Sequence, residues 1–512
     1  MAYLDIRVDQ AILLFLLLLA VYFSTILAGR LIFSPLVKFP GPRLAATSFL
    51  YEFYYDFICR GRYEFKIEDL HDKYGPIIRI NPDELHIRDP EFHSQIYVNS
   101  GVRKSSRPAS HRNATPSRES TATTLDHDHH RQRRKALEPY FSKNMVTKLE
   151  PEIQRIVKRL HERLWQHKGS PTPINLFEVY GAVASDVVTA YCFGSSWGSL
   201  EKDNYDADTS HVHMFFTKLM PIFRLFPSLL TLSLAIPEWM IKDPGVVQMQ
   251  RYRHRVEKQV ADVRRATSLK KAGGAGKGIT GHTTIFHELL ERSTLPPSEL
   301  ADHRLTDEAI TLVGAGLVTT AQTLAFVSFY LLNQPEALAK LQNALEPLMV
   351  SYPAKTPTWT QLEAVPYLNA VVLEGLRMHG VARRIARIFP DEDLKYKEWT
   401  IPAGTAIGMS ASALHDYERI FPEPHFFIPD RWLEGDVHLK RKYWVPFGRG
   451  SRACIGISLA YVELYHVIAA VFRPNGLKMK LFETNESDVK YEHDFLFPSP
   501  KEDSKGIRVL IS

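Results

Sequence analysis

The sequence predicts a mainly α (α+β) fold, one large helical unit with small β-sheets behind an N-terminal membrane-spanning helix. Three observations carry this. Apolar residues recur with helical period over much of the chain, strand-like alternation is confined to short pieces, and Ala11–Gly29 is an uncharged apolar run. The 512 residues would allow two or three domains by length alone. No repeat and no long linker divides them, so a single folded unit over 46–512 is expected, after an anchor in 1–30 and a Pro/Gly hinge in 31–45.

At a rise of about 1.5 Å per residue, a helix over 11–29 matches the roughly 30 Å hydrocarbon layer. Asp5, Arg7 and Asp9 precede it; Arg30, Lys38 and Arg43 follow, with no acid until Glu52. That asymmetry puts the body of the chain on the cytosolic side. A cleaved secretory peptide would have a basic start and a shorter apolar stretch. Phe39-Pro40-Gly41-Pro42 then makes a stiff, non-helical exit.

Ile77–Pro82 and Glu84–Ile87 read as a hairpin turning at Pro82-Asp83. His130–Phe141 opens as a basic helix, and Pro151–His167 carries a 3.6-period apolar stripe. The glycine-rich stretch 266–284 reads as a polar surface loop. Thr306 suits an N-cap, with Asp307 and Glu308 at the positive end of a helix running to about Asn333. That helix is nearly all apolar after Glu308, so it should cross the core. Met214–Met240 is apolar and broken by prolines, and reads equally as a lid resting on a membrane or as a core helix. Lys+Arg 63 against Asp+Glu 57 leaves only +6, which gives no argument for nucleic acid. Three cysteines exclude a disulfide scaffold and agree with a reducing compartment.

The sharpest motif is Phe447-Gly448-Arg449-Gly450-Ser451-Arg452-Ala453-Cys454-Ile455-Gly456, ahead of an apolar helical run from Ile457 to Phe472. Glycines let backbone N–H groups approach the sulfur, and positive charge with a helix N-terminus favours a thiolate. Glu374-Gly375-Leu376-Arg377 places two charges one helical turn apart. Phe427-Ile428-Pro429-Asp430-Arg431-Trp432 and Ala315-Gly316-Leu317-Val318-Thr319-Thr320 complete the set.

In this order and wording the segments resemble the cytochrome P450 family, over nearly the whole chain and most closely its fungal, membrane-bound, trichodiene-oxygenase-like members. The resemblance implies a haem-thiolate fold, with 46–512 as the catalytic domain and haem b (iron protoporphyrin IX) as cofactor, its axial ligand the Cys454 thiolate. Phe447, Gly450 and Gly456 would shape the ligand loop. Arg452, Arg387, and His130 with Arg134 would meet the haem carboxylates. Glu374, Arg377 and Arg431 would form a structural network holding the loop, with Asp430 where Glu is usual. Ala315 and Gly316 would leave room for O₂ beside Thr319, which would handle its protons. Val318 departs from the family, standing where an acid is usual. The implied activity is insertion of one oxygen atom from O₂ into a lipophilic small molecule, a terpenoid first and a polyketide second. An oxygen-independent rearrangement is the alternative that Val318 motivates. Implied partners are NADPH-cytochrome P450 reductase and the lipid bilayer of the endoplasmic reticulum, in single-pass topology, with no nucleic acid. Arg131, Arg133, Arg134, Lys135, Lys440, Arg441 and Lys442 would offer the reductase a basic face. Phe495, Leu496 and Phe497 would line an apolar pocket.

Overall fold

The computed structural model describes residues 8–99, 101–271, 284–379 and 384–512. Helix α1 (Val8–Ala28) continues through a wider turn at Gly29–Phe33, so an apolar rod runs from Gln10 to Phe33 with none of it buried. The expected span falls inside it; the flanking Asp5 and Arg7 lie outside the described residues. Beyond the Pro-Gly exit, the Arg79 N–H donates to Pro40 O at 2.7 Å, tying the exit to strand β1 (Ile77–Asn81). β1 pairs antiparallel with β2 (Glu84–Ile87), Ile77 opposite Ile87, as the hairpin reading expects.

Helix α2 (His127–Leu137) starts three residues before the expected His130. The reason is Asp126, whose carboxylate accepts the His129 N–H at 2.8 Å and caps the helix. Pro139 then turns the chain into a short 3-10 segment, Glu138–Phe141. Helix α3 (Lys143–Gln166) also begins earlier than its proline suggested. Ser142 caps it, and buried Val146 and Leu149 extend the apolar stripe ahead of Pro151. Next come α4 (Leu176–Phe193), α5 (Ala207–Leu225), α6 (Pro227–Ala235) and α7 (Pro244–Lys271). The loop expected from 266 is thus helical to 271, and 272–283 lie outside the described residues.

The long core helix, α8, spans Asp302–Asn333. Thr306 is not its cap. The helix starts at Ala301, with no side-chain cap, and Thr306 is buried in its second turn. Asp307 and Glu308 serve tertiary contacts instead: Asp307 accepts the Glu119 N–H at 2.9 Å, and Glu308 accepts the Thr121 N–H at 3.0 Å. α4 and α8 are apolar enough to span a bilayer, but 89% and 72% of their apolar windows are buried in the protein, which makes them core helices. They pack along each other, flanked by α3 and the last long helix, with α9 (Pro366–Met378) behind α8. Strands β3 (Arg387–Ile388) and β4 (Ala406–Gly408) complete a sheet of order β1-β2-β4-β3. Leu85 pairs with Ile407 in parallel, and Arg387 pairs with Ile407 antiparallel. Helix α10 (Ile457–Phe472) follows the cysteine loop.

Candidate active site

The loop Phe447–Gly456 is closed by the Cys454 N–H, which donates to Phe447 O at 2.8 Å. Gly450 has φ 78°, and a Cβ there would lie 2.3 Å from Val98 O. The Ser451 N–H donates to that same carbonyl at 3.0 Å, so the loop is pinned to a neighbouring segment that only glycine can approach. Cys454 opens onto a cavity of about 500 Å³. Enclosure by the protein raises its thiol pKa, while the Gly456 N–H and the Arg134 charge pull it down without prevailing. The loop's dipoles therefore do not ionise the sulfur by themselves; a coordinated metal ion would deprotonate it outright.

Ala315, Gly316 and Thr319 of α8 line the same cavity. Thr319 Oγ1 donates to Ala315 O at 2.7 Å, which keeps its lone pairs available. A Cβ on Gly316 would lie 3.2 Å from Val188 Cγ2, so this glycine also serves the α4–α8 contact. Val318 does not line the cavity. It is fully buried with Leu317 and Phe497. An acid here would face side chains that cannot pair with it. Val318→Asp is therefore expected to lower stability by about 3 kcal/mol or more, read by thermal unfolding, and to give no gain in proton delivery. Leu496 and Phe497 reach the cavity, whereas Phe495 stacks on His493.

One edge of the cavity gathers Arg107, His130, Arg134, Arg387 and Arg452. Arg387 arrives on β3 and is buried, its guanidinium 5.1 Å from the Tyr97 ring centre. Burial lowers the pKa of Arg107, Arg387 and Arg452, that of Arg452 to about 9, and the arginines' mutual repulsion lowers Arg107 and Arg452 further. Burial and the neighbouring charges of Arg452 and Arg107 take His130 down to about 2, and its Nδ1 has no partner. Among the described residues, no carboxylate lies within ion-pair distance of Arg107, Arg387 or Arg452. Buried cations without counter-ions are costly. This cluster fits a ligand carrying two carboxylates, as iron protoporphyrin does, beside a sulfur that can bind its iron.

Arg452 lines the cavity and has a structural part as well. It donates to the carbonyls of Ser105 (3.1 Å), Thr124 (2.6 Å), Leu125 (2.8 Å) and Asp126 (3.2 Å). It chiefly ties the segment before α2 to the cysteine loop. Arg134 does the same in reverse, donating to Ala453 O at 2.7 Å. Arg107 was not legible in the sequence, since it sits in no motif. The His127–His130 tract separates: His127 bonds Ser105, His129 pairs with Glu299 at 2.8 Å, and His130 faces the cavity. Among the described residues no His/Cys/Asp/Glu cluster could hold a metal ion.

Behind the loop, Glu374 is completely buried and accepts five hydrogen bonds. Two come from Arg377 (both 2.9 Å), and one each from Arg431 Nε (2.9 Å), Trp432 Nε1 (2.9 Å) and the Ile428 N–H (3.0 Å). Burial alone would raise this carboxyl, but Arg377 and Arg431 hold it below its ordinary value. Arg377 also donates to His415 O at 2.9 Å, and the Val445 N–H donates to His415 Nε2 at 2.8 Å. The network thereby reaches the chain entering the cysteine loop. Trp432 is a member that sequence reasoning missed, although it adjoins Arg431. Asp430 faces outward to Lys340 at 2.9 Å.

A helical protein with an exposed N-terminal apolar helix long enough to cross a membrane, and with a cysteine facing an apolar cavity that suits a large cofactor, is the class this fold and site define. The chain belongs to the cytochrome P450 family, whose family model matches residues 43–503. It is 39% identical over 99% of its length to cytochrome P450 monooxygenase oblB of Cochliobolus heterostrophus, covering 98% of that protein. To fusicoccadiene C-8 hydroxylase of Alternaria brassicicola it is 40% identical, over 98% of this chain and 96% of that one. Cytochrome P450 monooxygenase tpcC of C. heterostrophus is 38% identical, over 96% and 95%. The protein is thus a haem-thiolate monooxygenase, an oxidoreductase that incorporates oxygen from O₂ into a small molecule and depends on a redox partner.

Proposed function

We propose that this protein hydroxylates a terpenoid, with haem b seated between the Cys454 loop and α8. The observation carrying this reading is the pairing of Cys454 with Arg107, His130 and Arg387, none of them in an ion pair with an acid among the described residues, at the edge of one apolar cavity. Cys454 would hold the iron, and Arg107, Arg387 and His130 the two carboxylates, with Arg452 and Arg134 fixing the surrounding loops. When bound, the haem supplies oxygen activation and transfer. The protein's share is to orient the substrate, exclude water and hold a proton at Thr319 Oγ1. Leu137, Phe141, Val188, Phe216, Met220 and Leu496 give an apolar wall suited to a hydrocarbon skeleton. A relative named for fusicoccadiene hydroxylation supports a terpenoid. The test is coexpression with a fungal reductase and a panel of cyclic terpenes. NADPH-dependent hydroxylation is expected; turnover that ignores NADPH and O₂ would favour the oxygen-independent alternative.

Thr319→Val should leave haem content unchanged and lower product formed per NADPH, with more peroxide released. Positioned proton transfer contributes about 10²–10⁴-fold in rate. An unchanged product-to-NADPH ratio would reduce Thr319 to a helix residue bonded to Ala315 O.

Residues 1–30 act as the anchor, 31–45 as the hinge and 46–512 as the catalytic domain, on the cytosolic face of the endoplasmic reticulum. Leu229 and Leu232 of α6, with Trp239 at 84% exposure, form a second apolar contact with the bilayer. Arg224 at the end of α5 pairs with Glu52, which brings exposed Leu50 and Tyr54 to the same side. Deleting residues 1–30 should release only part of the protein from carbonate-washed membranes, with haem still bound, because α1 buries nothing in the fold. Electrons come from NADPH-cytochrome P450 reductase. Exposed Arg131, Lys135 and Arg441 support a docking face. Arg133, paired with Glu299 at 2.7 Å, and Arg134, turned to the cysteine loop, do not belong to it. Lys440 Nζ is engaged by the carbonyls of Arg431 and Glu434, and Lys442 pairs with Glu91 at 3.2 Å.

A further inference from the structure

His213 of α5 lines both the main cavity and an adjoining recess of about 40 Å³, walled by Pro116, Leu234, Met249, Tyr252 and Ile310. The imidazole is wedged in place from two helices. A Cβ on Gly314 of α8 would lie 2.6 Å from its Cε1, and its ring meets the Tyr252 ring of α7 edge-on with centroids 4.7 Å apart. Two buried polar atoms here, His213 Nε2 and the Tyr252 hydroxyl, have no hydrogen-bond partner among the described residues.

Nearby polar groups are satisfied within the protein. Thr311 Oγ1 donates to Ser117 Oγ at 2.8 Å, Thr217 Oγ1 to Met214 O at 2.9 Å, and Thr121 Oγ1 to Glu308 at 2.7 Å. Arg253, the charged residue on the recess wall, is paired with Glu257 at 3.0 Å and Asp307 at 3.2 Å. Buried polar atoms are almost always paired in native proteins, so two adjacent unpaired ones point to a missing partner. Burial holds His213 down to about 4, leaving a neutral imidazole beside a neutral phenol at cytosolic pH. Such a pair donates to and accepts from a hydroxyl or carbonyl and offers nothing to balance a carboxylate. A water-sized group needs only about 10–15 Å³ of such space, so the recess has room for an oxygen-bearing group.

We propose that the His213–Tyr252 recess anchors an oxygen function already present on the substrate. The enzyme would then act on a skeleton carrying a hydroxyl or carbonyl, supplied by a cyclisation ended by water or by an earlier oxygenation. The anchor also fixes which carbon is presented to the cofactor. This inference rests on the reading of the cavity as the substrate site.

The full-length holoprotein is titrated with two matched pairs, abietadiene with abietadienol and dodecane with 1-dodecanol, and binding is read from the haem absorption shift. The alcohol of a responding pair should bind about 10-fold tighter than its hydrocarbon, the worth of one well-made hydrogen bond. Tyr252→Phe, which deletes only an oxygen, and His213→Leu should each abolish the difference in affinity between the alcohol and its hydrocarbon. His213→Gln should restore part of the difference. Equal affinities within every responding pair of the wild type, or a preference that survives both variants, overturns the anchor. A response to the dodecane pair with none to the abietane pair overturns the terpenoid reading instead, and the anchor is then judged on the dodecane pair by the same criterion.

Discussion

Cys454→Ala should abolish the thiolate-type absorption of the reduced, carbon monoxide-bound protein, together with all oxygenation, while Cys59→Ala and Cys192→Ala keep both. The three thiols differ in what surrounds them. Cys192 is completely buried inside α4, where desolvation pushes its thiol far up, and Cys59 is half-buried near the N-terminal segment. Cys454 alone of the three lines the cavity. The substitution leaves Arg107, Arg387 and His130 in place, so some porphyrin should still be retained, with altered absorption. Arg107→Ala or Arg387→Ala tests that edge separately. On the proposed haem seating each would remove charge-assisted hydrogen bonds worth about 1.5–3 kcal/mol, so haem affinity should fall about 10- to 100-fold with the absorption type preserved. A normal thiolate band in the Cys454 variant would sink the ligand assignment.

What could be read from the sequence was what short segments encode. The cysteine loop, the Glu374–Arg377 turn and the apolar run of α8 are local words, and each came out where its spacing put it. The hairpin over 77–87 was legible for the same reason, since alternation and a Pro-Asp turn specify it within eleven residues of chain. Helix starts were read less well. Thr306 and Pro151 look like starts by residue type, but buried apolar positions before them carried the helices further, tertiary packing overriding a local preference. Arg107 and Arg452 show the remaining limit. Arg452 is held by carbonyls more than 300 positions away, and Arg107 meets Arg387 only because the fold brings their segments to one cavity edge. No spacing rule reports such pairings. Val318 was legible as a departure but not as a consequence. Only its burial against Leu317 and Phe497 shows that an acid there would disrupt packing.

Glu374→Gln should be the most destabilising single substitution outside the cysteine. It keeps the shape of the side chain but removes the charge that two buried arginines share. Arg377 is wholly buried and Arg431 nearly so, and neither has another carboxylate partner among the described residues. Breaking a buried ion pair by removing one member costs about 3–5 kcal/mol, against a total stability of about 5–15 kcal/mol. Much of the variant should therefore lack the cofactor as isolated, because His415 and Val445 no longer hold the loop entrance. Trp432→Phe, which removes one of the five hydrogen bonds, should cost only about 1–2 kcal/mol and keep the carbon monoxide spectrum. The pH dependence has a definite sign. The folded-state pKa of Glu374 lies below its ordinary value, so its contribution is fully present above the unfolded-state pKa and is lost as the pH falls through the folded one. Wild type should lose this stability only on acidification beyond the usual carboxylate range, and Glu374→Gln should lack that component of the acid transition. Equal thermal stability of wild type and Glu374→Gln at neutral pH, with haem fully retained, would show that the network does not hold the loop.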